Sequence, residues 1–199
     1  MNFEYCDIGT CDFDVADNVF DDAKNYLLIE PMENYLSKFP KSSNVKTENA
    51  ACSNEDGYME IYYIPESTIE SYGLPHWMKG CNMIGKRHPV VIAFLQANGI
   101  TRSIIEHKLV RKISVKSLAS KYSIQKIKNL KIDTEGHDHI IFEEFARLIL
   151  AQKIDCDTIT LEYIDGRYGN TDQIDKTAFS LRRIFPNIKF ANENLYLQK

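Results

Sequence analysis

Apolar residues fall in short runs, each stopped by glycine, proline or an Asn/Asp-rich turn. FEYCDI (3–8) runs into Gly9, and YLLIEP (26–31) is stopped by Pro31. Both read as strands. NVKTENAA (44–51), YMEIYYI (58–64), LVRKISV (109–115), IKNLKID (127–133) and CDTITLEY (156–163) are further strand candidates. Helices are predicted over 15–25, 32–39, 115–123 and 171–185. The strongest helical pattern is HDHIIFEEFARLILAQ (137–152). There Ile141, Phe145, Leu148 and Gln152 share a face widened by Ile140 and Ile149, while Glu143 and Arg147 pair one turn apart. NIKFA and NLYLQ close the chain as a hairpin around an Asn-rich turn. Short strands alternating with helices predict an α/β domain with a mainly parallel sheet and helices on both faces.

The rhythm breaks between Pro65 and about Lys108, where glycines and prolines are mixed with aromatics, His and Arg. Only 90–97 reads as a helix there. The expectation is a single domain over 1–199 with an insertion at about 65–108, serving as a lid or binding loop or as plain decoration.

Composition narrows the function classes. The chain has 199 residues, 44% of them hydrophobic, and a net charge of −4 without a sustained basic stripe. Nucleic acid is therefore a poor partner. PVVIAFL (89–95) is the longest strongly apolar run and is too short to span a bilayer. Asp7 and Asp12 interrupt the place where a signal peptide would carry its apolar core. The five cysteines are scattered, with no CxxC pair, and read as reduced thiols of a soluble cytoplasmic protein. ENLYLQ (193–198) resembles a protease-recognition sequence, but it also reads as the second arm of the closing hairpin and is taken as native.

In a parallel α/β sheet, ligands gather at the carboxyl ends of the strands. After the first strand stands DIGTCDFD (7–14), where Gly9 permits close backbone approach. This is less than a full dinucleotide fingerprint. After the second stands Glu30, about 20 residues beyond the glycine turn, where an acid commonly binds ribose hydroxyls. Together these ends describe an adenosine-type site. The later strands end on Asp133 and Glu135, and on Glu162 and Tyr163. Such carboxylates can act as general base or hold a divalent cation through oxygen. Glu135 or Asp138 could equally cap the helix that follows. His137 and His139 read as helix-start residues rather than metal ligands.

These segments resemble the FkbM family of S-adenosylmethionine-dependent methyltransferases. DIGTCDFD is similar to its first motif, LLIEP to the strand with its ribose-binding acid, ENAACS (48–53) to the adenine-lining segment, and LKIDTEGHD (130–138) to its lysine–isoleucine–aspartate–x–glutamate–glycine signature. ITLEY and ANENLYL resemble later strands, so the likeness covers almost the whole chain, most loosely at 65–108. It implies a Rossmann-like class I methyltransferase fold, with a mainly parallel seven-stranded sheet whose last strand is antiparallel. It further implies that Asp7 and Gly9 hold the methionine end of the cofactor, that Glu30 binds both ribose hydroxyls, that Met32 packs on adenine, and that Asn49 and Ala50 border the ring. Asp133 would sit near the transferred methyl, with Glu162 sharing a metal such as Mg²⁺ or orienting substrate. Cys11 and Asp12 depart from the small residues usual in the first motif.

The resulting expectation is an O-methyltransferase acting on a sugar or glycan hydroxyl. Asp133, Glu162 and Glu135 are the catalytic candidates, and Asp133 and Glu162 could hold a metal. Cover for the cofactor would come from 65–108 or from a second subunit in a homodimer. Within that segment Trp77, Arg87 and His88, with Tyr163 from the later strand end, are the substrate candidates, although Trp77 would also serve as the core anchor of a lid. The rival readings are a non-catalytic cofactor-binding or interaction protein on the same fold and, lower, an NAD-dependent oxidoreductase.

Overall fold

The buried positions of the strands sort into two sheets. The computed structural model describes residues 1–11, 21, 23–39, 41–164 and 170–199. In chain order the elements are β1 (Asn2–Ile8), β2 (Tyr26–Ile29), α1 (Glu33–Leu36), β3 (Val45–Glu48), β4 (Ala51–Ser53), β5 (Gly57–Tyr63), α2 (Glu66–Ser71), β6 (Met83–Ile84) and α3 (Pro89–Ala97). They continue with β7 (Glu106–Ser114), α4 (Val115–Lys121), β8 (Lys126–Ile132), α5 (Asp138–Leu150), β9 (Asp155–Glu162), α6 (Thr171–Leu181), β10 (Asn187–Ala191) and β11 (Asn194–Gln198). Short 3₁₀ turns lie at His76–Lys79 and Arg102–Ile104.

The larger sheet has seven strands in the order β10-β11-β9-β8-β1-β2-β3. The pairings β1–β2, β2–β3, β1–β8 and β8–β9 are parallel, whereas β9–β11 and β10–β11 are antiparallel. The reversal comes from the closing hairpin, whose turn residues Asn192 and Glu193 both take left-handed φ, 51° and 61°. Leu195 and Leu197 of β11 are buried, so this tail is part of the core.

One face of the sheet packs on α4, α5 and α6. Cys6, Ile8, Leu130 and Ile132 meet Ile141 and Phe145 there in one continuous core. Each such fully buried side chain stabilises by roughly 1.5–3 kcal/mol. The other face is different. Asp7, Lys131, Thr160 and Tyr196 stand at matched register on β1, β8, β9 and β11 and form a polar row. Its apolar part is a small cluster in which Leu36 and Phe39 cover Tyr26 and Leu28. Among the described residues, helices therefore cover the two faces unequally.

The smaller sheet has the order β4-β7-β5-β6. Residues 66–104 add α2, the 3₁₀ turns and α3, which enclose their own cluster of Ile69, Met78, Val91 and Leu95. The segment expected to be largely irregular thus has a core of its own, and the helix expected at 90–97 is α3.

Several boundaries differ from the sequence expectation. The strand expected over 44–51 breaks at Asn49–Ala50: β3 joins the large sheet and β4 the small one. The break follows Glu48, a buried carboxylate held by Arg111, Lys121 and Tyr122. The strands expected at 58–64 and 109–115 belong to the small sheet and pair with each other antiparallel. The helix expected over 32–39 is a single turn. Most of the helix expected over 15–25 lies outside the described residues. Among the described residues, no helix is long and apolar enough to cross a membrane.

Candidate active site

The carboxyl ends of β1, β2 and β8 are stitched together by backbone hydrogen bonds. Gly9 N donates to Ile29 O (3.0 Å), and Asp133 N donates to Ile8 O (2.9 Å). Gly9 has φ +80°, and a Cβ there would fall 1.8 Å from the carbonyl oxygen of Asp133. Only glycine lets the turn after β1 pass so close to the end of β8. A cleft with about 460 Å³ of empty space opens above these ends. Gly9, Glu30, Ala50, Asp133 and Glu135 line it, and Ala51, Cys52, Ile61 and Ile84 supply apolar wall.

Glu30 is buried at the end of β2. Its Oε1 accepts from Met32 N (2.9 Å) and its Oε2 from Cys11 N (3.0 Å). Burial pushes its pKa up to about 7, with a smaller push from Asp7; the two amides and Lys108 oppose the rise. Asn49 Nδ2 donates to the carbonyls of Glu30 (3.0 Å) and Pro31 (3.1 Å) and so braces this turn from behind. Met32 is buried among Tyr35, Ala51 and Ile61, and does not line the cleft.

The turn after β8 is held from inside. Asp138, at the start of α5, accepts from Thr134 N and Gly136 N, both at 2.9 Å. Burial raises its pKa to about 6, partly offset by those amides. Glu135 is carried there in a left-handed conformation, φ 54°. Its Oε2 lies 2.9 Å from Nε2 of His88, a buried residue that caps the start of α3. Asp133 Oδ2 lies 3.3 Å from Nζ of Lys131, whose ammonium also lies 3.8 Å from Oδ1 of buried Asp7. His137 meets Ser53 Oγ at 3.1 Å and ties the turn to β4. Burial pushes its pKa down to about 4, so it stays neutral.

A wider cleft, about 940 Å³, adjoins the first and shares Gly9, Cys11, Gly80, Asp133 and Glu135 with it. Thr10, His76, Trp77, Lys79 and Lys131 complete its lining. Trp77 is half-exposed and meets Phe94 edge to face at 6.0 Å. The sequence model of the FkbM methyltransferase domain matches residues 7–184.

The chain belongs to the FkbM methyltransferase family. No curated protein and no solved structure matches it. The mixed α/β architecture with a seven-stranded sheet is consistent with a methyltransferase-like fold.

Not every candidate of this FkbM domain reaches the clefts. Arg87 stacks its guanidinium over Tyr62, 5.7 Å from the ring centroid, and His88 lies behind Glu135, against its carboxylate. Glu162 and Tyr163 stand at the end of β9 and line neither cleft. Tyr163 packs on Phe190 at 4.7 Å between centroids and donates to Asp175 (3.2 Å).

A metal is tested by the donor set. Among the described residues, Cys81, His88 and Glu135 bring ligand atoms within 4.8 Å of one another. However, His88 Nδ1 accepts from Val91 N (3.5 Å), which leaves the ring proton on Nε2, facing Glu135. A metal at Nε2 needs the opposite tautomer, which would point N–H at N–H. The trio fits a hydrogen-bonded tie between α3 and the β8 turn better than a metal site. Sequence reading could not find this tie, because His88 and Glu135 lie 47 residues apart.

Proposed function

We propose that this FkbM domain is a class I methyltransferase that moves a methyl group from S-adenosylmethionine to a hydroxyl, with a sugar or glycan as acceptor. Glu30 carries the reading: a buried carboxylate, fixed by two backbone amides, at the end of the strand beside the glycine turn. It would accept from both ribose hydroxyls, with Ala50 and the apolar wall against adenine and Asp7 and Gly9 toward the methionine end. Two more polar atoms of residues lining this cleft, Asn82 Oδ1 and Thr134 Oγ1, are buried without a hydrogen-bond partner among the described residues, a cost that a polar ligand can relieve. The sheet order, with an antiparallel strand inserted beside β9, supports the class I assignment.

When bound, S-adenosylmethionine supplies an electrophilic methyl on a sulfonium. The protein's part is alignment and one proton. The chain's own part would be to align the acceptor hydroxyl with that methyl and to take the hydroxyl proton on the Asp133 carboxylate as the methyl is accepted. Asp133 lines both clefts, which supports this role. Trp77, beside His76 and Lys79, offers an aromatic face and polar edges suited to a sugar ring. Calorimetry with S-adenosylhomocysteine, against NADH and ATP, tests the reading. Selective binding that weakens in Glu30→Ala supports it; no binding, or preference for NADH, overturns it.

A further inference from the structure

We infer that Lys131 takes the place of a divalent cation in this site, so that methyl transfer is metal-independent and Lys131 is a positioning residue for Asp133. The inference rests on the proposed methyltransferase reading. The ammonium lies 3.3 Å from Asp133 Oδ2 and 3.8 Å from Asp7 Oδ1. These are the acids that the proposed reading assigns to the acceptor and to the methionine end of the cofactor. A metal ion joining them would occupy the same volume and carry the same sign of charge.

The placement is built into the sheet. Lys131 pairs with Asp7 across the parallel β1–β8 register, so the two side chains leave the same face. Asp133, two residues further on, follows the same alternation beyond the strand end. The neighbours from the other elements are Thr160 on β9 and His76, Trp77 and Lys79 across the wider cleft. Asp7 is buried, so its charge demands a partner inside the fold. Lys131 is one-quarter exposed, which leaves its charge only partly screened.

In the transfer step Lys131 stays protonated and moves no electrons. It holds the Asp133 carboxylate in place before the acceptor proton arrives. A magnesium ion would require near-octahedral oxygen ligation and would retain water. An ammonium on a short tether needs neither.

The test uses Mn²⁺ as an electron-spin-resonance probe on the whole chain and needs no acceptor. Wild type is expected to show no site that Asp133→Asn removes. Lys131→Met, which leaves two carboxylates without their ammonium, is expected to gain Mn²⁺ affinity by about tenfold or more. The gain should vanish in Lys131→Met/Asp133→Asn, and Lys131→Arg should behave as wild type and control for folding. Tight Mn²⁺ binding by wild type that is lost in Asp133→Asn would overturn the inference. So would the absence of any gain in folded Lys131→Met. S-adenosylhomocysteine binding, measured on the same samples with and without EDTA, separates the two readings. If binding fails, the methyltransferase reading falls; if it needs the metal, the cation-replacement reading falls.

Discussion

The two sides of the cleft are made differently. On the Glu30 side, backbone groups do the positioning: the amides of Cys11 and Met32 hold the carboxylate, and Gly9 is locked to the ends of β2 and β8. On the side of Trp77, Lys79 and Glu135, side chains do it, on a segment with a separate small core tied down by His88. Backbone-held sites are rigid because moving them breaks strand pairing. Side-chain-held sites can drift and vary. On the proposed reading, the rigid side would take the cofactor and the adjustable side the acceptor.

The sharpest way to break the comparison is Gly9→Ala. The new methyl would collide with the Asp133 carbonyl in a left-handed turn, so neither strand end can stay in place. A destabilisation of about 4 kcal/mol or more is expected, together with loss of S-adenosylhomocysteine binding. A thermal melt of normal midpoint would show that the Glu30 side is not rigid.

Glu30 comes next. On the proposed reading, Glu30→Ala removes a charged acceptor of two ribose hydroxyls, so affinity should fall by roughly a hundredfold. The pH dependence has a definite sign. Burial raises the folded pKa to about 7, above the ordinary 4.5, so Glu30 is protonated below that point. It then accepts hydroxyls poorly, and affinity should fall by about tenfold per pH unit as the pH drops below the folded value. The same shift means that this group favours the folded apoprotein most below about pH 4.5, and that its contribution is lost as pH rises toward 7. Titration calorimetry and thermal melts of the apoprotein from roughly pH 4 to 8.5, a range that brackets that window, read the two effects. A flat affinity profile would remove Glu30 from the ribose.

On the acceptor side, His88→Gln should have a smaller effect. The tie between α3 and Glu135 would weaken, costing about 1–3 kcal/mol of local stability. Hydrogen exchange should rise in residues 76–97 while the α5 amides stay protected. Equal loosening of both regions would show that the insertion and the sheet are a single cooperative unit.

The two halves also differed in how far sequence showed them. Glu30 and Gly9 were legible because the glycine turn and the acid lie a fixed span apart, each at the end of an apolar run. Asp133 was legible for the same reason. Lys131 was not singled out, because a lysine inside a strand reads as a solvated position until register puts it beside Asp7. Asp138 was read only as a possible cap of the helix that follows, yet it fastens the turn, since burial and two amide donors cannot be read from spacing. The split of 44–51 between two sheets was hidden because Glu48 needs Arg111 and Lys121, both more than 60 residues away. The insertion's helices were mostly missed because their apolar residues bury one another in a small core rather than on the sheet.

Trp77 gives the smallest expected effect and the finest test. Its indole is half-exposed and meets Phe94 by an edge, so it is neither a full core residue nor a free surface one. Trp77→Ala should cost only about 1 kcal/mol in stability, because much of the ring already faces water. If the ring is the acceptor wall, acceptor KM should rise by about tenfold while S-adenosylhomocysteine affinity stays at the wild-type value. Trp77→Phe, which keeps an aromatic face, should recover most of the loss. A large drop in melting temperature without a change in KM would make the indole an anchor of the insertion, and would move the acceptor wall to the Lys79 and His76 side of the wider cleft.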